Sequence, residues 1–317
     1  MPNSNSSGAP TKREVPSIHG TFRTANRGKG HQNLQALAEQ RQAIWQPLAS
    51  GQFSFLDLGC GTGRSIAFGE RMFGKGPGLG VDRSQEKISS AQRGGFTAIC
   101  ADITQIAAPA KCVSFCSMIH FLEHLKSLET AHAVLALAAE FARDFLFIRH
   151  PSFEHIDYLA GLGLKLAWTH WSGHRNMMRL DDFRDFFAEN GWTDYDILPR
   201  GAIPDGSNAA IVPLRAPIDT VRYDPSGHGR KPHITFDLPV WSEFDLLIRI
   251  NPRMRDSDWH HLVSSLHKMS DDPCRDQLTN GKPTRRGKIV TFGAKSRQRL
   301  LQRLARIWRG RRSSSDE

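Results

Sequence analysis

The chain has 317 residues, enough to bury a full core, and its 39% hydrophobic and 23% charged content is that of an ordinary globular protein, which excludes fibrous and low-complexity classes. No apolar run approaches the length of a membrane span, and the polar stretch at residues 1–17 lacks the apolar segment of a secretory signal. The five cysteines form no CxxC pair and read as reduced, mostly buried thiols of a cytoplasmic protein, while the net charge of +10 is concentrated at the C-terminus.

Residues 1–30 read as a disordered leader and a glycine-rich basic loop. Residues 31–49 then place Leu34, Leu37, Ala38, Ile44 and Trp45 at near-helical spacing, so an amphipathic helix is expected before the first strand. The next stretch, Phe53 to Gly63 (FSFLDLGCGTG), is an apolar run that stops in three alternating glycines, Gly59, Gly61 and Gly63. It reads as a buried strand feeding a tight turn, with a helix opening behind it, so that backbone N–H groups are free to meet a ligand.

Nicotinamide and flavin enzymes use a similar strand, turn and helix, but with the glycines spaced GxGxxG. Here the third glycine comes one residue early and Arg64 occupies the place of the last one. The strand also carries Asp57 just ahead of the turn, where a carboxylate repels a pyrophosphate and suits a ligand bearing an ammonium group. LDLGCGTG resembles motif I of the class I S-adenosylmethionine-dependent methyltransferases. That resemblance implies S-adenosyl-L-methionine as cofactor.

Residues 78–82 (GLGVD) form a second short apolar run that ends in Asp82, followed by Arg83 and by Ser84 as an N-cap for the helix SQEKISSAQ. Asp82 lies 19 residues beyond Gly63, and a carboxylate at the end of the second strand of such a unit accepts from both ribose hydroxyls. Asp82, with Arg83 beside it, therefore supports a nucleoside without choosing between cofactors. A third strand closes on Asp102 at residues 96–102, and in the resembled family an acid here receives the adenine amino group, with Ile103 against the ring.

Residues 113–125 (VSFCSMIHFLEHL) run an apolar strand into a helix start, and FLEHL resembles a form of motif IV found in many small-molecule methyltransferases. His120 stands at the carboxyl edge of the sheet, where open α/β sheets bind ligands. A helix at 131–142 and an apolar strand at 144–148 continue the alternation, which ends in Arg149 and His150. The stretch beyond, with Trp168, His170, Trp171 and His174, offers flat apolar surfaces and polar tips for a substrate. For a hydroxyl acceptor, His120 or His174 is the expected base, with His150 a weaker candidate. His150, His155, His170 and His174 with Glu154 match no zinc signature, and no metal is expected.

A helix at 180–190 precedes two strands, 194–198 and 208–214, expected as the hairpin that closes the sheet. The fold class is therefore α/β, a doubly wound, mostly parallel seven-stranded sheet with helices on both faces, plus a C-terminal extension. The expected organisation is a leader at 1–30, a methyltransferase domain at 31–214, an α+β extension at 215–275 and a basic tail at 276–317. In the extension, residues 234–250 contain one or two strands, with Pro239 favouring an edge or bend, and residues 259–269 a helix.

Within 295–309, Leu300, Leu301, Leu304, Ile307 and Trp308 recur at helical spacing opposite Arg299, Arg303, Arg306 and Arg309. Such a helix at 295–312 suits an anionic membrane surface; docking on the protein itself and nucleic acid are the alternatives. The leading functional expectation is methyl transfer by in-line displacement to a small-molecule substrate, a saccharide or a lipid-linked precursor at the inner membrane face. A nucleic-acid methyltransferase is the rival; the Asn/Asp-Pro-Pro-aromatic signature of the amino-methylating enzymes is replaced by Cys-Ser-Met-Ile-His. A non-catalytic cofactor-binding protein is the third reading.

Overall fold

A computed structural model describes residues 44–270 apart from residue 75; the leader, most of the expected first helix, Cys274 and the basic tail lie outside the described residues. Helix α1 (44–49 within the described residues) is followed by β1 (Phe55–Leu58), α2 (Arg64–Phe73), β2 (Gly78–Asp82), α3 (Gln85–Arg93), β3 (Ala98–Cys100), β4 (Val113–Ile119), α4 (Leu128–Phe141) and β5 (Ala142–Pro151). The chain continues through α5 (Ile156–Gly161), β6 (Leu164–Leu166), α6 (Leu180–Glu189), β7 (Tyr195–Asp205), β8 (Ile211–Pro213), α7 (Pro225–His228), β9 (Thr235–Arg249) and α8 (Asp256–Ser270).

Seven strands form one sheet in the order β3-β2-β1-β4-β5-β9-β7. The first five are mutually parallel, and β9 runs antiparallel to both neighbours. The expected doubly wound architecture is present. Its physical basis is visible in strands whose residues are buried on both faces, so that alternate side chains serve two cores. On one face, Phe55, Phe115 and Phe145 stack along neighbouring strands with ring centroids 4.6 and 4.8 Å apart, and α2, α3 and α8 cover them. On the other, Leu56, Cys116, Leu146 and Ile148 pack with α4 and α6.

The strand that completes the sheet is not the expected one. Residues 195–205 do form β7, but β8 pairs with β6 in a separate two-stranded sheet, and the place beside β7 is taken by β9. The reason is burial: β9 carries Leu246, Leu247 and Ile248, all fully buried, whereas β8 offers only three residues. The expected boundary at residue 214 thus falls inside the sheet, and the unit that holds the fold ends at Ser270. Pro239 lies in the part of β9 beyond its pairing with β5, next to a register irregularity opposite Ile203 and Asp205, where a missing N–H is tolerated.

Four cysteines, Cys60, Cys100, Cys112 and Cys116, are free. Among the described residues no helix is long and apolar enough to cross a membrane.

Candidate active site

The strand order reverses between β1 and β4, and the crevice at the carboxyl ends of these strands is where an open α/β sheet receives a ligand. A cavity of about 1050 Å³ opens there. Its floor is the glycine turn. Gly59 (φ 78°) donates its N–H to Val81 O at 2.8 Å, and a Cβ there would overlap the Phe121 ring. Gly61 (φ 53°) differs: no atom lies within 4 Å of where its Cβ would be, so the backbone there borders open space that a ligand fills. Gly63 starts α2 in the left-handed region and is packed by Phe96; it does not line the cavity.

Asp57 is also absent from the lining. It is fully buried beneath the turn, where Oδ1 accepts from Ser117 Oγ at 2.6 Å and Oδ2 accepts from Ser65 Oγ. Burial raises its pKa to about 6, although the two serine hydroxyls act against the rise. The expected direct encounter with an ammonium group is therefore not what the geometry provides. Asp57 instead ties β1 to β4 and to the first turn of α2, holding the glycine turn in shape.

Asp82 does line the cavity. Its Oδ2 accepts from Gly61 N at 3.0 Å and its Oδ1 from Ser84 N at 2.8 Å, which leaves each oxygen a further lone pair. Arg83, Asp102 and Ile103 line the cavity as well. Asp102 uses Oδ1 to cap the short helix that follows, accepting from Thr104 N at 2.9 Å and Thr104 Oγ1 at 2.8 Å.

Across the cavity, His120 follows β4 with φ 49°, a left-handed conformation that a non-glycine residue rarely holds. Its ring is 47% exposed and bridges two carboxylates, with Nε2 3.0 Å from Glu243 Oε2 and Nδ1 3.7 Å from Glu123 Oε1. Burial alone would lower the imidazole pKa, but the close carboxylate of Glu243 and the more distant one of Glu123 outweigh it and push it up to about 10. The same interactions, with the charge of Arg149, overcome the desolvation of Glu243 and hold its carboxyl at about 2. The two carboxylates favour the protonated imidazole, which counts against His120 as the base expected of it.

His150 is 2% exposed, packed edge-on against Phe153 and Phe183, and does not line the cavity; it cannot reach an acceptor. His174 is half-buried, its Nδ1 2.9 Å from Trp168 O, and burial lowers its pKa so that it stays neutral. Its ring meets those of His124, Trp171 and Phe153.

Residues 27–197 match the family described as the methyltransferase domain, a span of more than half of the 317 residues. The chain belongs to that family. It is a class I S-adenosylmethionine-dependent methyltransferase, and S-adenosyl-L-methionine is its cofactor. Among solved structures, this methyltransferase is similar to a SAM-dependent methyltransferase from Archaeoglobus fulgidus, with 17% identity over 68% of this chain and 93% of that chain and a TM-score of 0.44. It is also similar to magnesium protoporphyrin IX methyltransferase from Synechocystis PCC 6803 with bound SAM, at 15% identity over 73% of this chain and 87% of that chain with a TM-score of 0.36. No curated protein matches the chain.

The residues present fit the cofactor: the open backbone at Gly61 is a cradle that a Cβ would fill, and the wall supplies strand-end carboxylates for hydroxyl and amino donors. Sequence reasoning missed Glu243 and did not disclose how Glu123, His124 and His174 are arranged in this methyltransferase. Glu243 comes from β9, more than 120 residues beyond His120, and no local spacing announces it. Glu123 is 1% exposed and faces His120 and His150, which its place in FLEHL did not disclose. His124 and His174 are brought together with Glu123 across 50 residues of chain.

Proposed function

We propose that the methyltransferase acts on a small, polar, oxygen-bearing molecule in the half of the cavity bounded by His120, His124, Lys126 and Arg175. The observation that carries this reading is the continuity of the cavity from Gly61 past Asp82 and Asp102 to that second half, which leaves room for an acceptor next to the cofactor's place. When bound, the cofactor supplies a methyl group already activated by its sulfonium. The chain's contribution is binding and in-line orientation, to which a general base is an optional addition.

In this reading Asp82 accepts from the ribose hydroxyls through its remaining lone pairs, with Arg83 flanking it. Asp102 Oδ2 accepts from the adenine amino group, and Ile103, 6% exposed, lies against the ring. The glycine turn leaves space for the cofactor at Gly61, and Asp57 keeps that turn in place from beneath. His120, held by Glu243 and Glu123, presents its half-exposed ring at the acceptor end. Lys126 and Arg175 favour an acceptor with anionic character, the phosphate or carboxylate of a sugar derivative or a lipid-linked precursor.

Incubation of the full-length chain with methyl-labelled cofactor and cell extract tests the reading. Label is expected in the soluble small-molecule or lipid-extractable fraction. Label in nuclease-sensitive or protein material overturns it, and absence of transfer with native cofactor affinity favours the non-catalytic alternative. The basic stretch at 295–312 gives a second, anionic surface as partner; flotation with anionic vesicles is expected for the full chain and lost for a chain ending at Gly281.

A further inference from the structure

One group of side chains at the acceptor end is not used by the reading above. Donor atoms of Glu123, His124 and His174 lie within 4.8 Å of one another. Two features separate this group from a chance aromatic cluster. The first is the orientation of the two imidazoles. His124 Nδ1 is 3.0 Å from Gly173 O and His174 Nδ1 is 2.9 Å from Trp168 O, and a carbonyl oxygen can only accept. Both rings therefore carry their proton on Nδ1 when neutral and offer Nε2 as a lone pair, the arrangement by which a backbone carbonyl fixes the tautomer of a metal-binding histidine.

The second feature is Glu123. Its side chain is 1% exposed, and Oε2 makes no well-formed hydrogen bond, its contact with His150 Nδ1 being 3.4 Å. A buried carboxylate oxygen without a partner is costly and calls for a ligand. The backbone holds the group together as well. Arg175 N and Asn176 N both donate to Glu123 O, at 2.9 and 3.1 Å, so the loop that carries His174 is fastened to the segment that carries Glu123 and His124.

The geometry points to a divalent-cation site of the two-histidine, one-carboxylate type, formed by Glu123, His124 and His174, whose open positions take an oxygen of the methyl acceptor. The donor set, two imidazoles and one carboxylate, suits a first-row ion such as Zn²⁺ more than Mg²⁺ or Ca²⁺. Bonds of about 2.0–2.2 Å require donors about 3–3.5 Å apart, so ion binding would draw the three side chains closer than the 4.8 Å within which they lie. His120 Nδ1, 3.7 Å from Glu123 Oε1, and His150 Nδ1 are the other groups facing the carboxylate. Of the three ligands His124 lines the cavity, with Gly173 and Arg175 beside it, so the ion would meet an acceptor on its His124 side.

This inference rests on the reading of that half of the cavity as the acceptor's place, and it assigns the activation of the acceptor to the ion rather than to His174 as a base. An acceptor hydroxyl bound to the ion releases its proton to water. Its oxygen then forms the bond to the methyl carbon as the carbon–sulfur bond breaks, with the electron pair remaining on sulfur, giving a methyl ether and S-adenosylhomocysteine.

The test uses chelator-treated full-length protein titrated with Zn²⁺ by calorimetry. One ion per chain is expected, with affinity reduced at least about tenfold in His124→Asn and in Glu123→Gln, while affinity for S-adenosylhomocysteine and thermal stability stay near wild type in His124→Asn. Because Glu123→Gln alters a buried residue, X-ray absorption on the zinc-loaded wild type gives a measurement free of folding effects: two imidazole nitrogens at about 2.0 Å and an oxygen are expected. Absence of binding, unchanged affinity in His124→Asn, or a shell without two imidazoles overturns the site. Native cofactor affinity in that event leaves the methyltransferase reading standing.

Discussion

His120 Nε2 and Glu243 Oε2 stand 3.0 Å apart, joining the residue that ends β4 to the one antiparallel strand of the sheet. The pairing favours the protonated histidine, which also holds a left-handed backbone conformation beside the cofactor's place. Its contribution to stability is present below its ordinary pKa of 6.5 and is lost as pH rises through about 10. In chelator-treated protein the His120 ring is therefore expected to stay protonated through pH 8 by NMR. Glu243→Gln should lower its midpoint by at least about one pH unit. A midpoint near 6.5 in the wild type would remove the two-carboxylate account and restore the histidine as a base.

The turnover of His120→Ala should fall by at least about tenfold while S-adenosylhomocysteine affinity changes by less than about threefold, because the ring borders the acceptor half and is held by Glu243 and Glu123. Steady-state kinetics with calorimetry separates the two effects. Equal losses in both would place His120 at the cofactor instead.

Asp57 predicts an unusual pH response. Its folded pKa of about 6 lies above the ordinary 3.8, so its favourable contribution is complete below 3.8 and is lost as pH rises through 6. The rise corresponds to about 3 kcal/mol in order of magnitude. Asp57→Asn keeps an acceptor for Ser117 and removes the charge. The difference in urea-unfolding free energy between pH 4 and pH 7 should therefore shift in favour of neutral pH in the variant. An identical difference in both proteins would show that Asp57 ionises without penalty in the fold.

How much of this was legible in the sequence follows from where each signal is local. The turn, the first five strands and the place of Asp82 and Asp102 after apolar runs rest on signals within a few residues, and the turn and strands form where the sequence puts them. The same reading put Asp57 against the ligand, since its position before the turn does not show that Ser65 and Ser117 take both oxygens. Long-range pairing was invisible: β8 and β9 both read as strands, and only the burial of Leu246, Leu247 and Ile248 between β5 and β7 decides which one joins the sheet.

The glycines of the turn should separate by function. Gly61→Ala meets no atom within 4 Å, so its cost to folding is the left-handed backbone strain, about 1–2 kcal/mol, while its methyl group enters the cofactor's space. Cofactor affinity should drop at least about tenfold. Gly59→Ala would drive a methyl group into the Phe121 ring and should lower the thermal midpoint more than Gly61→Ala does. Scanning calorimetry and cofactor titration on both variants check the order. A larger stability loss at Gly61 would mean that the space beside it is not open.

β9 should prove indispensable, and the ion network at its centre gives the sharper test. Asp245 is fully buried and binds Arg149 in a forked pair, Nε to Oδ1 at 2.6 Å and Nη2 to Oδ2 at 2.8 Å, with Arg200 Nη1 3.1 Å from the same Oδ2. One carboxylate from β9 thereby pairs with guanidinium groups from both flanking strands, and Glu243 supplies the second negative charge. Asp245→Asn leaves these two buried cations opposed only by Glu243, 3.8 Å from Arg149 and 3.4 Å from Arg200. Breaking such a pair costs about 3–5 kcal/mol. A chain ended at residue 214 loses the network altogether and strips β7 of the one strand it pairs with among the described residues. It is expected to be insoluble, whereas a chain ended at Ser270 should unfold cooperatively in urea at a midpoint close to that of the full chain. A soluble, cofactor-binding fragment ending at residue 214 would return the boundary to where the sequence alone places it and make β9 an addition to a sheet that stands without it.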